Sequence, residues 1–301
     1  MSMKSVISRL LTEDPLATFA RRNASYVERY QGQEDPFGYS LSTFALWEPL
    51  FRFLFEDYFK VEIKGIENIP GDGAAILVGN HSGLLPLDGA MISMAMTSQH
   101  PKPRRVRYLA TDWFFTLPGL CDWVRETGQV RASRANALKL IEMEELIGIY
   151  PEGTRGVGKP FRERYRLLDF HPGFVQLAIE TGTPLIPVST LGGDEIYPEF
   201  VNLKKLARFI GMPFYPLTLT FPWLPFPLYL IPLPVCWKIH IHKPITLDYP
   251  KEAANDRKLV HKLAREVQYQ IQHEVNEMLA SRQSLFSSGE KIQEVAPKQD
   301  H

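Results

Sequence analysis

The feature that most restricts the fold of this chain is an alternation of short apolar runs with longer stretches of helical periodicity. Runs with strand character occur at 61–64, 74–78, 107–110, 146–150, 184–189 and 237–242. Helical segments lie between them. Ser133 is placed to cap one, with Ala137, Leu138 and Ile141 behind it. Pro172, at a first turn, opens another that ends near Gly182. Strands interleaved with helices predict an α/β fold, a single domain whose mixed, largely buried sheet is flanked by helices.

Flanking segments complete the outline. Residues 40–59 set Phe44, Trp47, Phe51, Leu54, Phe55 and Tyr58 at spacings of three and four. This predicts an aromatic-rich amphipathic helix interrupted near Pro49, which either covers the core or lies in a membrane interface. Residues 259–282 read as a long helix with Val260, Leu263, Val267, Ile271, Val275 and Met278 on one face. The expected organisation is N-terminal amphipathic, membrane-interface helices over 1–60, the main domain over 61–250, a C-terminal helix over 251–283 and a disordered polar tail over 284–301.

Composition excludes some partners. The 34 basic and 34 acidic side chains cancel. A nucleic-acid partner, which normally calls for a basic excess, is therefore not expected. Cys121 and Cys236 show neither a disulfide pattern nor metal-like spacing, so a reduced, cytosol-facing compartment is expected. Lys4, Arg9, Glu13 and Asp14 break up the N-terminus, which lacks a secretory signal's apolar stretch. Residues 209–237 carry no charge and are long enough to span a bilayer, but contain seven prolines. Each interior proline costs a helix about 3 kcal/mol. Irregular backbone is not tolerated in contact with lipid tails. The segment is expected to pack on the protein or to dip only to interfacial depth.

Four separated blocks carry chemistry. The first, Gly79-Asn80-His81 through Asp88-Gly89, follows an apolar strand. A histidine at a strand end can take a proton from a hydroxyl near neutral pH, and a carboxylate on its other nitrogen would fix the tautomer. Asp88 is the nearest acidic candidate. The second block, Gly128 through Arg131-Ala132-Ser133-Arg134, leads into a helix whose start could hold an anion. The third, Tyr150-Pro151-Glu152-Gly153-Thr154-Arg155-Gly156, again follows an apolar strand. Its turn residues leave Glu152, Thr154 and Arg155 at the strand's end, where ligand groups collect in α/β sheets. The fourth, Thr183-Pro184-Leu185-Ile186-Pro187-Val188, is by itself a buried strand.

Together the blocks resemble the lysophosphatidate and glycerol-3-phosphate acyltransferase superfamily, whose pattern is N-H-x4-D, G-x5-R, F-P-E-G-T-R and a V-P-V-like strand. The resemblance covers roughly residues 61–245, and YPEGTRG matches almost letter for letter. It implies a glycerol-3-phosphate acyltransferase-like fold and transfer of a fatty acyl group from acyl-CoA or acyl carrier protein to a lipid hydroxyl. It implies His81 as general base with Asp88 in support, and no cofactor beyond the acyl thioester co-substrate. Glu152 and Gly153, with Asn80 and Thr154, would form the acceptor site, and Arg134 and Arg155 would bind acceptor phosphate. The implied partners are a lipid acceptor, the thioester donor and a membrane surface on its cytoplasmic face, reached by peripheral or monotopic association.

One departure bears on the base. The family's aspartate falls five positions after the histidine; that position here is Pro86, and Asp88 comes two residues later. On a helix starting at His81, two extra residues turn Asp88 away by about 200°. A loop over 83–86, favoured by Gly83 and Pro86, lets it return. A lysophospholipid such as lysophosphatidate is the expected acceptor. The run Gly192-Gly193-Asp194-Glu195-Ile196-Tyr197 and the altered first block point instead to a neutral acceptor, diacylglycerol or a long-chain alcohol. A non-catalytic lipid-binding relative is the third reading. No G-x-S-x-G elbow accompanies Ser82, which argues against a serine hydrolase. His240 and His242 share one strand face, but with no third ligand nearby in sequence no metal site is expected.

Overall fold

The computed structural model describes residues 14–81, 87–157, 159–209, 211, 215–282 and 284–285. The expectations for the loop at 83–86, the first thirteen residues and the tail from 286 lie outside them. The chain runs through α1 (Pro15–Arg22), α2 (Ala24–Tyr30), α3 (Leu41–Phe53), β1 (Glu62–Lys64), β2 (Ala75–Gly79), α4 (Leu87–Ser98), β3 (Val106–Ala110), α5 (Leu120–Glu126), β4 (Val130–Arg131) and α6 (Arg134–Glu142). It continues through β5 (Leu146–Ile149), the short α7 (Thr154–Val157), α8 (Gly173–Thr181), β6 (Leu185–Leu191), β7 (Glu199–Asn202), α9 (Lys204–Phe209), β8 (Pro216–Thr218), β9 (Lys238–Ile241) and α10 (Arg257–Ser281).

Seven strands form one mixed sheet in the order β1-β9-β6-β2-β5-β3-β4, as the alternation predicts. All neighbours are parallel except β6 and β9. β2 lies at the centre and is buried at all five positions. Successive side chains point to opposite faces of a strand. Ala75 and Leu77 thus join the cluster with Met91, Ile92 and Met94 of α4. Ile76 and Val78 face α8 and α10, against Phe174, Val175, Val267 and Ile271. Burial on both faces explains why β2 is apolar throughout.

The termini of the helices follow their sequence signals. Ser133 accepts from the Asn136 N–H at 3.1 Å and caps α6. Gly182 ends α8 in a left-handed conformation. Asp256 accepts from the N–H groups of Lys258 and Leu259 and starts α10, whose buried stripe contains all six predicted residues plus Ala264.

One local expectation changes. The helix through 41–53 is not interrupted at Pro49, which lies on its exposed side; the irregularity is a π-helical turn at Leu54–Tyr58. A proline ring is compatible with helical φ, and the helix continues past the one backbone bond it forfeits. Ala45 and Leu46 of this helix and Phe55 of the turn after it are buried, Trp47 meets Trp123 edge-on, and Leu50 and Phe53 stay exposed. In α1 and α2, Phe19, Tyr26 and Tyr30 are buried in their own aromatic cluster. These helices are tied to the sheet by buried charge, since Asp35 accepts from Arg107 at 2.7 Å and pairs with Arg105.

The proline-rich segment forms a separate lobe. β7 and β8 pair antiparallel, and the chain then continues through a 3-10 turn at Leu228–Leu230. Tyr58 anchors it by donating to the Pro232 carbonyl at 2.6 Å. The lobe faces outward, with Trp223 68% and Phe226 74% exposed and Phe200, Leu219 and Ile231 exposed beside them. Among the described residues, no helix is long and apolar enough to cross a membrane.

Candidate active site

β2 ends at Gly79, and the two residues that follow begin the site. Asn80 is buried, and its side-chain amide imitates a peptide: Nδ2 donates to the Thr190 carbonyl at 2.9 Å and Oδ1 accepts from the Thr190 N–H at 2.8 Å. This fastens the end of β2 to β6 exactly one residue before His81, fixing where the imidazole leaves the sheet.

His81 Nδ1 lies 2.9 Å from Oδ2 of Asp88. Asp88 sits in the first turn of α4 and is fully buried, and its Oδ1 accepts from the Gly89 N–H at 2.9 Å. The two-residue displacement is thus accommodated, since Asp88 reaches the His81 ring from the start of the described part of α4. A carboxylate accepting from Nδ1–H leaves the lone pair on Nε2. The histidine side chain keeps 14% of its surface, against none for Asp88, so Nε2 is the nitrogen left for an incoming hydroxyl.

Electrostatics make this imidazole a stronger base than a free one. Burial lowers its pKa, but the charge and hydrogen bond of Asp88, aided by the Glu152 charge, outweigh that and raise it above 6.5. An aromatic stack supports the ring from behind. Tyr150 lies parallel to His81 at 4.4 Å between centroids, and Tyr108 lies parallel to Tyr150 at 5.5 Å. The stack depends on missing side chains. A Cβ at Gly89 would stand 3.1 Å from the Tyr108 ring, and one at Gly148 would collide with it outright.

The YPEGTRG turn closes against the same histidine. Glu152 is buried and fully engaged: it accepts from the His81 N–H at 3.2 Å, from the Leu168 N–H at 2.9 Å, and pairs with buried Lys159 at 3.2 Å. A Cβ on Gly156 would sit 3.3 Å from that of His81. Gly153, in a left-handed conformation, turns the chain so that Thr154 and Arg155 follow it on the exposed side.

The fold therefore brings Asn80, His81, Asp88 and Glu152 together, with Gly153, Thr154 and Arg155 on the adjoining turn. Asn80 and Glu152, read from sequence as acceptor-binding groups, have their polar atoms committed to Thr190, Leu168, Lys159 and the His81 backbone. Arg134 is exposed at the start of α6 and ion-paired with Glu180 of α8. Sequence reasoning did not find Tyr108, Lys159 or a role for the Tyr150 ring. Only the glycine at 148, within an otherwise apolar strand, hinted that a neighbour needs the space.

A buried carboxylate holding an imidazole at the carboxyl end of a central strand defines a proton-transfer centre of the kind used in group transfer to hydroxyls. The family model described as Acyltransferase matches residues 60–191. An uncharacterised protein of Mycobacterium tuberculosis is 43% identical over 244 residues, spanning 80% of this chain and 68% of that protein. A lyso-glycine lipid O-acyltransferase of Phocaeicola vulgatus is 27% identical over 161 residues, covering 52% and 54% of the two chains. The crystal structure of the 1-acyl-sn-glycerophosphate acyltransferase PlsC from Thermotoga maritima shares the fold, with a TM-score of 0.52 at 20% identity over 90% of this chain and 96% of that one. The chain belongs to the PlsC-like acyltransferase family.

Proposed function

We propose that this protein transfers a fatty acyl group from an acyl thioester, of coenzyme A or acyl carrier protein, to the hydroxyl of a lysophospholipid of the lysophosphatidate type. The observation that carries the reading is the His81–Asp88 pair, with Nδ1 engaged at 2.9 Å by a fully buried carboxylate and Nε2 left for the acceptor. His81 Nε2 removes the hydroxyl proton as the oxygen attacks the thioester carbon. The tetrahedral oxyanion then collapses, expelling a thiolate that recovers the proton from the imidazolium. Asp88 stabilises the imidazolium in between. Asn80 and Glu152 hold the base's backbone in place. Arg155 makes no ion pair among the described residues and is the cation available to an anionic headgroup. The P. vulgatus relative's printed activity, O-acylation of a lyso-lipid, agrees with this acceptor class.

Such an acceptor resides in a bilayer, and the outward aromatic lobe supports peripheral attachment to one. Trp223, Phe226 and Phe209 stand exposed, large aromatic groups suited to a membrane interface. The cytoplasmic face remains the expected side, from the free cysteines.

Thiol release from palmitoyl-CoA, measured with lysophosphatidate in anionic vesicles, tests the proposal. His81→Ala should lower the rate by about 10²–10⁴, and an unchanged rate would refute the assigned base. The pairing of Arg134 with Glu180 favours a second reading, a neutral acceptor, because it removes one of two expected phosphate ligands. Faster transfer to diacylglycerol than to lysophosphatidate would select it.

A further inference from the structure

The sequence sets His240 and His242 two residues apart, the first in β9 and the second just past its end, with no third ligand near them, and the fold supplies that ligand. Glu274, midway along α10, crosses the same face of the sheet. Ligand-capable atoms of the three side chains all lie within 4.8 Å of one another. The two imidazoles stack at 4.4 Å. His240 Nδ1 stands 2.6 Å from Oε1 of Glu274, yet has no aligned hydrogen bond. The two atoms are crowded together without the geometry that would make the contact an ordinary hydrogen-bonded ion pair.

The tautomer of His242 follows from its neighbour. Ser189 Oγ lies 2.9 Å from His242 Nε2 and 3.4 Å from the Ile271 carbonyl. A hydroxyl has one proton, and a carbonyl can only accept. Donation to Ile271 makes Oγ the acceptor for Nε2–H, so the lone pair of His242 is on Nδ1. Ser189 is completely buried, which excludes it as a nucleophile and suits it to orienting a ligand.

We propose that His240, His242 and Glu274 form a binding site for one divalent transition-metal ion of the zinc class, which clamps helix α10 to the sheet. Two imidazoles and a carboxylate are a ligand set zinc accepts, with a fourth position left for water. At metal–ligand distances of about 2.1 Å, tetrahedral ligands lie roughly 3.3–3.5 Å apart. To reach that arrangement His240 Nδ1 and Glu274 Oε1, now 2.6 Å apart, would part, and separations of up to 4.8 Å within the group would close. The site is closed on the Ser189 side and open on the other, since the His240 and Glu274 side chains keep 17% and 19% of their surface. An ion and its water can therefore enter. Lys64, paired in register with His240 on edge strand β1, is exposed. The site is separate from His81, and the proposal does not depend on the transferase reading.

The test uses the full chain, stripped with a chelator and titrated with zinc chloride by calorimetry. One equivalent should bind, and excess zinc should raise the melting temperature because the ion binds only the folded chain. Glu274→Gln and His240→Ala, both at partly exposed positions, should each weaken binding by more than the roughly 10–100-fold that an outer-shell partner is worth. Circular dichroism checks that they fold. A cobalt(II) form should show tetrahedral visible absorption that both variants lose, a readout a purely structural histidine–glutamate pair would not produce. His81→Ala should bind zinc as the parent does. Uptake that fails to saturate at one equivalent, or that survives both substitutions in folded protein, overturns the proposal.

Discussion

Replacing Asp88 by asparagine isolates what the carboxylate does for the base. The side chain keeps its size, and its oxygen can still accept from the Gly89 N–H, so the fold should survive. Two things change at His81. The amide can present its NH₂ to Nδ1, which favours the proton on Nε2 and depletes the tautomer that acts as base. The imidazolium formed during transfer also loses its counter-charge. With charge centres about 4 Å apart and an effective dielectric constant of about 20, that attraction is worth about 4 kcal/mol. At 1.36 kcal/mol per tenfold, the rate should fall about a thousandfold. The assay is the initial rate of thiol release as a function of pH. The parent should lose activity as pH falls through the His81 pKa, which Asp88 and Glu152 hold above 6.5 against burial. In Asp88→Asn the residual activity should show that acidic limb at lower pH. A loss under about tenfold with the limb unmoved would mean Asp88 does not support the base.

Three further outcomes follow from the same geometry. Glu152→Gln leaves Lys159 buried without a counter-charge and should cost about 3–5 kcal/mol; an unaltered thermal melt would show that the pair is dispensable. Gly148→Ala drives a methyl group into the Tyr108 ring and should cost about 1–3 kcal/mol while lowering the rate through the displaced stack; a variant as active and stable as the parent would remove the stack's supporting role. The raised His81 pKa adds stability that is complete below pH 6.5 and is lost as pH rises through the folded-state value. In denaturant titrations, His81→Gln should therefore trail the parent by more at about pH 6 than at about pH 9, and an equal gap would contradict that sign.

The sequence made the main sheet legible because β2 and β5 are apolar throughout and β6 is apolar over its first four residues. β4 was missed because only Val130 and Arg131 pair there, and β7 and β8 because they are four and three residues long and β8 starts on a proline. At the site, the histidine and both glycine-bearing turns could be placed from strand ends alone. What each side chain does afterwards depends on contacts between distant segments. Asn80 meets Thr190, Glu152 meets Leu168, and Arg134 meets Glu180. None of these pairs lies within one element, so no local periodicity announces it. The same holds for Glu274, which is one more polar residue on a long helix until the sheet packs beneath it.

The stack behind the histidine ties together three places in the chain that cannot change independently. Tyr108 fits only because positions 89 and 148 carry hydrogen where other residues carry carbon. A descendant that acquires a side chain at 148 must shrink the residue at 108 in compensation, and a slimmer residue at 108 would leave Tyr150 without backing. Divergence at this corner is therefore expected as linked replacements, with phenol and glycine exchanged together or both retained.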